Sequence, residues 1–212
     1  MPSDFGLLGN GGQAAEAAEF ALPDRVLFRA VTGGRAGTPD GGGGLQIVDI
    51  ATSDPDLLSV PVVAALGTPG LRRALVGDWG GDRYRTIVAA GASVSPSADV
   101  GDGSIVAPGA VLTAGVRLGR HVIVNVGASV SHGSALGDYA TLGPGARVAG
   151  DCRIGAGVFV GIGAVISNGV SVASGVVIGA GAVVIDDIDV AGTYVGVPAR
   201  LSRPREDWLF TL

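Results

Sequence analysis

Counting every sixth residue from Val88 gives Val94, Val100, Val106, Leu112, Leu118, Val124, Val130, Leu136 and Leu142. The same step then reaches Val148, Ile154, Val160, Ile166, Val172, Ile178, Val184 and Val190, so all 18 positions are aliphatic. Four residues after each, from Ala92 and Ala98 through Ser104, Ala110, Cys152 and Val158 to Ile188, the side chain is small or β-branched. A period of six matches neither a helix at 3.6 nor a long strand at two, but it suits a two-residue strand followed by a turn. Three such units close a triangular coil of 18 residues, and stacked coils lie one strand spacing apart, roughly 4.8 Å. The stretch 88–190 therefore predicts a solenoid of five to six coils, with Cys152 at an inward, packing position.

The preceding residues follow another pattern. Phe5–Leu8 reads as a short buried strand, 9–12 as a turn, Gln13–Leu22 as a helix, and Val26–Val31 as a second strand, which makes one βαβ unit. Gly33–Gly44 reads as a flexible loop. Val62–Pro69 predicts a strand and turn, and Leu71–Leu75 a helix, so three or four parallel strands account for this region. The organisation expected is an α/β domain over 1–86, the solenoid over 87–190, and a tail over 191–212 that caps it.

The turn Gly9, Gly11, Ala14 is a loose dinucleotide fingerprint that offers backbone N–H groups to a phosphate at the helix start. The acidic residue expected about 20 positions on to hold a ribose is absent, since the second strand ends in Val31-Thr32-Gly33-Gly34, and this argues against NAD.

Composition narrows the chemistry further. Aromatics are 5% of a chain that is 47% hydrophobic, so the core must be thin and built from small aliphatic groups. Mean hydropathy is positive, at +0.49, yet the most apolar run, Val176–Ile185, is about half the length of a spanning helix, and the N-terminus lacks a basic region before an apolar one. A soluble, cytoplasmic protein is expected. All 14 cationic residues are Arg, which excludes a lysine Schiff base and with it pyridoxal chemistry. One Cys and two His cannot form a zinc cluster within one chain, and a net charge of −5 without a basic stripe argues against nucleic acid.

The repeat, an aliphatic residue followed by small and variable ones, resembles that of the hexapeptide-repeat acyltransferases, whose coils form a left-handed parallel β-helix. A small half-Rossmann domain before such a β-helix, with "ALGTPGLRRAL" at 65–75 and "VGVPAR" at 195–200, resembles the bacterial nucleotide-aminosugar N-acetyltransferases and the related sialic-acid O-acetyltransferase-like proteins. The resemblance covers nearly the whole chain. It implies an acetyl-CoA-dependent N-acetyltransferase acting on the amino group of a nucleotide-linked amino sugar. It also implies a homotrimer in which acetyl-CoA lies along the β-helix between neighbouring subunits.

Acyl transfer from a thioester needs a base, an oxyanion donor and a groove for the pantetheine arm. The imidazole of His132, two residues past the inward Val130, projects from the coil and is the candidate base. The segment "NVGASVSHG" aligns with the family stretch in which an Asn precedes the catalytic His by seven residues, here Asn125 and His132. Gly150 lies one coil, 18 residues, beyond His132, and its N–H is the candidate oxyanion donor. By the same resemblance Thr141, Gly150, Ile162 and Ala180 would line the CoA groove, and Gly11, Gly12 and Gln13 would face the sugar nucleotide.

Three positions depart from the family pattern. Gly133 stands where an Asp or Glu usually follows the His, Thr141 where a second His contacts acetyl-CoA, and Gln13 where a His often lies. Two alternatives stand beside the N-acetyltransferase: an O-acetyltransferase on a sugar hydroxyl, of the sialic-acid type, or, suggested by Gly133 and Thr141, a β-helix binding module that has lost catalysis. His121 matches no family motif and reads as a surface residue. With only two histidines, a γ-class carbonic anhydrase site is set aside.

Overall fold

The structure is a computed structural model that describes residues 4–32, 45–52 and 54–210. The glycine-rich loop expected at Gly33–Gly44 lies outside these residues. Four parallel strands, β1 (Asp4–Leu8), β2 (Arg25–Val31), β3 (Gln46–Asp49) and β4 (Val62–Ala64), form a sheet in the order β3-β2-β1-β4. Helix α1 (Gly12–Phe20) connects β1 to β2, α2 (Pro55–Leu58) precedes β4, and α3 (Pro69–Asp78) follows it. Phe5, Leu7, Leu8, Val62, Val63 and Ala64 are all buried, as central parallel strands covered on both faces require. Strand β3 and helix α2 were not located from the sequence, because neither run is long or periodic enough to stand out.

From Ile87–Val88 to Val183–Val184 the chain forms two-residue parallel strands separated by turns, a left-handed β-helix with three faces. Face one contains the strands that begin at 87, 105, 123, 141, 159 and 177; face two, those at 93, 111, 129, 147, 165 and 183; face three, those at 99, 117, 135, 153 and 171. Partners are offset by 18 residues throughout, as in Ile105↔Ile123, Ser129↔Arg147 and Ala135↔Arg153.

The aliphatic position of each strand and the small residue of each turn make one continuous core from Val106 to Ile188. Cys152 is buried in it, and burial pushes its thiol pKa up. The ends depart from the sixfold count. Val88 is 50% exposed because no coil lies beneath it. At the other end Ile188, rather than Val190, pairs with Val172, so the last turn is shortened and Val190 is left 60% exposed.

The α/β domain sits on face one. Phe5, Leu7, Ala14 and Ala17 of β1 and α1 share one apolar cluster with Ile87, Ile105 and Ile123, the outward residues of that face. This explains why face one carries isoleucines where face three carries Asp99, Arg117, Ala135, Arg153 and Ser171. A hairpin of Gly192–Val195 and Arg200–Pro204 continues face one past Val177–Ile178. The chain then returns to α3, where the Gly70 N–H donates to the Leu209 carbonyl at 2.8 Å. Among the described residues no helix is long and apolar enough to cross a membrane.

Candidate active site

The turns between faces two and three stack Ala114, His132, Gly150 and Asn168 along one edge of the prism, opposite face one. The His132 side chain is 64% exposed there. Its ring leans over the next coil: a Cβ on Gly150 would overlap the imidazole and lie 2.7 Å from Nε2, so the ring in this pose occupies the space a side chain at 150 would take. The Gly150 N–H donates to no acceptor among the described residues, unlike its neighbours Ala149 and Asp151, whose N–H groups bond to Ile166 and His132 carbonyls. Nδ1 lies 3.7 Å from Oδ2 of Asp151.

Asp151 was not singled out from the sequence. Among the described residues it is one of three non-glycine residues with positive φ, at 60°, the others being His121 at 57° and Tyr139 at 61°. Equivalent turn positions at 115, 133 and 169 on the same edge are glycine, because L-residues pay for the left-handed region. The available signal was a carboxylate one coil plus one residue beyond His132, at a place the repeat reserves for glycine.

The other expected donor-groove residues lie elsewhere. Asn125, Ile162 and Ala180 belong to the edge between faces one and two, where Val126, Pro144, Ile162 and Ala180 stack. The Asn125 Oδ1 accepts from the Val126 N–H at 2.9 Å, and Ile162 is exposed. Face two separates this edge from His132, so a single chain does not bring the two together.

Thr141 opens onto neither edge. It lies on face one, 2% exposed, where its hydroxyl donates to the Gly67 carbonyl at 3.0 Å and accepts from Arg72 Nη2 at 2.8 Å. It is a residue of the seam with the α/β domain rather than of a groove, which corrects its expected placement. Gly67 also adjoins Gln13, whose Oε1 would lie 3.7 Å from a Cβ at 67. Gly11 and Gly12, at the start of α1, have no heavy atom of the described residues within 4 Å of where their Cβ would lie.

Arg72, also missed from the sequence although it lies in "GLRRAL", is fully buried in this seam. Its guanidinium donates to the carbonyls of Leu66, Gly67, His121, Tyr139 and Ala140 as well as to Thr141. Burial pulls its pKa down to about 9.

The reading of His121 as a surface residue is overturned. The residue does point outward from its coil, but the chain around 66–84 covers it, leaving it 1% exposed. Its ring stacks on Tyr139 at 5.0 Å and meets the edge of Tyr84 at 4.6 Å, and its Nδ1 has no hydrogen-bond partner. Burial first, then Arg120 and Arg72, push its pKa down to about 4, so it is neutral at physiological pH and structural.

Comparison with solved structures gives the geometry a family. The acetyltransferase domain of PglB from Neisseria gonorrhoeae is 31% identical, with 93% of this chain and 98% of that one aligned at a TM-score of 0.81. This chain belongs to the hexapeptide-repeat sugar N-acetyltransferases. The same PglB domain in complex with acetyl coenzyme A aligns over 95% of this chain and all of that one, at 30% identity and a TM-score of 0.82. Perosamine N-acetyltransferase from Caulobacter crescentus, solved with CoA and GDP-perosamine, is 27% identical over 95% of this chain and 97% of its own, with a TM-score of 0.80. Scans against protein-family models and against curated sequences match none.

Proposed function

We propose that the protein is an acetyl-CoA-dependent N-acetyltransferase acting on the amino group of a nucleotide-linked amino sugar. The observation that carries this reading is the imidazole of His132, held open to solvent with Nε2 over Gly150 and its unused N–H. A neutral amine attacks the thioester carbonyl, His132 Nε2 accepts the proton the amine loses, and the Gly150 N–H donates to the oxygen that becomes negative. The tetrahedral species then collapses, the C–S bond breaks, and the departing thiolate is protonated to free CoA.

The start of α1 suits the acceptor. Its free N–H groups favour phosphate, and the open space above Gly11 and Gly12 admits a diphosphate against the backbone, with Gln13 beside it. This region lies on face one, whereas His132 is on the opposite edge. A complete site therefore takes the α/β domain of one subunit and the His132 edge of another, with the Asn125, Ile162 and Ala180 edge along a groove between copies, as in a homotrimer. The related PglB and perosamine structures with acetyl-CoA, CoA and GDP-perosamine support this choice of substrates.

Acetyl-CoA consumption measured against a panel of nucleotide-linked amino sugars and their hydroxy counterparts tests the reading. Turnover with amino sugars and its loss in His132→Ala are expected. Undiminished activity in His132→Ala, or turnover of hydroxy sugars alone, would overturn it.

A further inference from the structure

We infer that Asp151 is the positioning carboxylate of His132, supplied from the next coil in place of an acidic side chain at position 133. The inference rests on His132 being the base. Three observations meet at this edge. First, Asp151 Oδ2 stands 3.7 Å from His132 Nδ1, which directs Nδ1 toward a carboxylate and leaves Nε2 for the substrate. Second, Asp151 occupies a left-handed turn position at φ 60° where the same edge otherwise uses glycine at 115, 133 and 169. A side chain retained in such a conformation, with glycine the unstrained choice, marks a place where chemistry outweighs backbone ease.

Third, the two neighbouring glycines make room for the pair. A Cβ on Gly133 would overlap Oδ1 of Asp151, just as one on Gly150 would overlap the imidazole. A side chain directly after His132 and the carboxylate of Asp151 therefore compete for one space in this geometry. The absence of the first is matched by the presence of the second. The backbone ties the two turns together, because the Asp151 N–H donates to the His132 carbonyl at 2.8 Å.

The other charged group at this edge is Arg153, whose Nη1 donates to the Gly133 carbonyl at 3.2 Å and to the Cys152 carbonyl at 3.3 Å. Farther along the edge, Asp186 is 3.8 Å from Arg200. Arg153 thus fixes the backbone at Gly133 while Asp151 faces the ring.

Asp151 acts on the base through orientation and charge. It holds the tautomer with hydrogen on Nδ1 and stabilises the imidazolium that forms when Nε2 accepts the amine proton; it does not itself take up that proton.

The test compares wild type, Asp151→Asn, Asp151→Gly, and Asp151→Gly combined with Gly133→Asp. His132 and His121 are the only histidines, so nitrogen-15 NMR reads the His132 tautomer without any substrate. The share of neutral His132 with hydrogen on Nδ1 is expected to fall in Asp151→Gly, through loss of the carboxylate that faces that nitrogen. Asp151→Gly is expected to raise the melting temperature by ~2 °C through relief of backbone strain. It should also lower kcat about tenfold with little change in KM, and Asp151→Asn, whose amide oxygen can still accept from Nδ1, should lower it less.

Gly133→Asp in the Asp151→Gly background should recover part of the lost kcat. An unchanged His132 tautomer ratio in Asp151→Gly would overturn the inference even in the absence of turnover. So would a less stable Asp151→Gly protein with wild-type kinetics. A fully active His132→Ala would instead remove the reading on which it rests.

Discussion

The guanidinium of Arg72 donates to the hydroxyl of Thr141 at 2.8 Å, across 69 residues of chain and between the two halves of the molecule. The same side chain donates to carbonyls from Leu66 and Gly67 on one side and His121, Tyr139 and Ala140 on the other. The hydrogen bonds that the structure gives this buried cation are to backbone carbonyls and one hydroxyl, so its removal orphans acceptors on both sides. Arg72→Ala is expected to cost about 3 kcal/mol, and Arg72→Lys nearly as much, because an ammonium cannot span the same fork. Thr141→Val should cost only about 1 kcal/mol. Urea denaturation checks the order through the midpoints.

His121 gives stability a pH dependence. Its pKa in the folded chain is about 4, below the ordinary 6.5 of the unfolded one. Below 6.5 the unfolded state therefore binds the extra proton first. Its contribution is complete above pH 6.5 and declines as pH falls toward 4, below which both states are protonated and the loss is constant. Asp102 and Asp138 oppose this shift, and Arg120 and Arg72 reinforce it. His121→Asn, which tolerates the left-handed backbone, is expected to flatten the curve of midpoint against pH between 6.5 and 4 relative to wild type. Thermal melts across that range provide the measurement.

Gly150→Ala separates room for the imidazole from backbone need. Gly150 is not in the left-handed region, so alanine strains no dihedral there; the added methyl meets the His132 ring instead. Because that ring is the free end of an exposed side chain, it swings aside at little cost to the fold. We expect kcat/KM to fall about 100-fold, as for a displaced catalytic group, while the melting temperature stays within ~2 °C. Single-turnover kinetics beside thermal melts would show both.

The hexads were legible because inward residues see only their own coil and the next, which makes the core a local, periodic pattern. Its ends were not: Val88 and Val190 obey the count, yet burial there depends on a coil beneath the first strand and on the shortened turn to Ile188. His121 and His132 both lie in turns, at the third and second residue after Leu118 and Val130, and the repeat alone assigns neither of them its burial. What separates them is the α/β domain packing on face one, which buries His121 under Tyr84 and leaves His132 on the far edge. The carboxylate for His132 was sought in the adjacent residue, whereas in a solenoid the neighbours in space are also those 18 and 19 residues away. Asn125 and Ile162 could not be joined to His132 for a related reason, since the edges of one prism meet only through a second copy.

Complementation tests the shared site directly. His132→Ala removes the base from one edge and leaves the α/β domain intact. Gly12→Phe fills space at the start of α1, where a Cβ meets nothing within 4 Å among the described residues, and so blocks the acceptor without disturbing their packing. Each variant alone is expected to be inactive. Unfolded together in equal amounts and reassembled as trimers, half of the edges carry a good base and half of the domains a good acceptor pocket. If a site draws on two subunits, about a quarter of sites combine both, and about a quarter of the wild-type activity returns. If each site lay within one chain, every site would carry one defect and the mixture would remain inactive, so acetyl-CoA turnover before and after reassembly distinguishes the two arrangements.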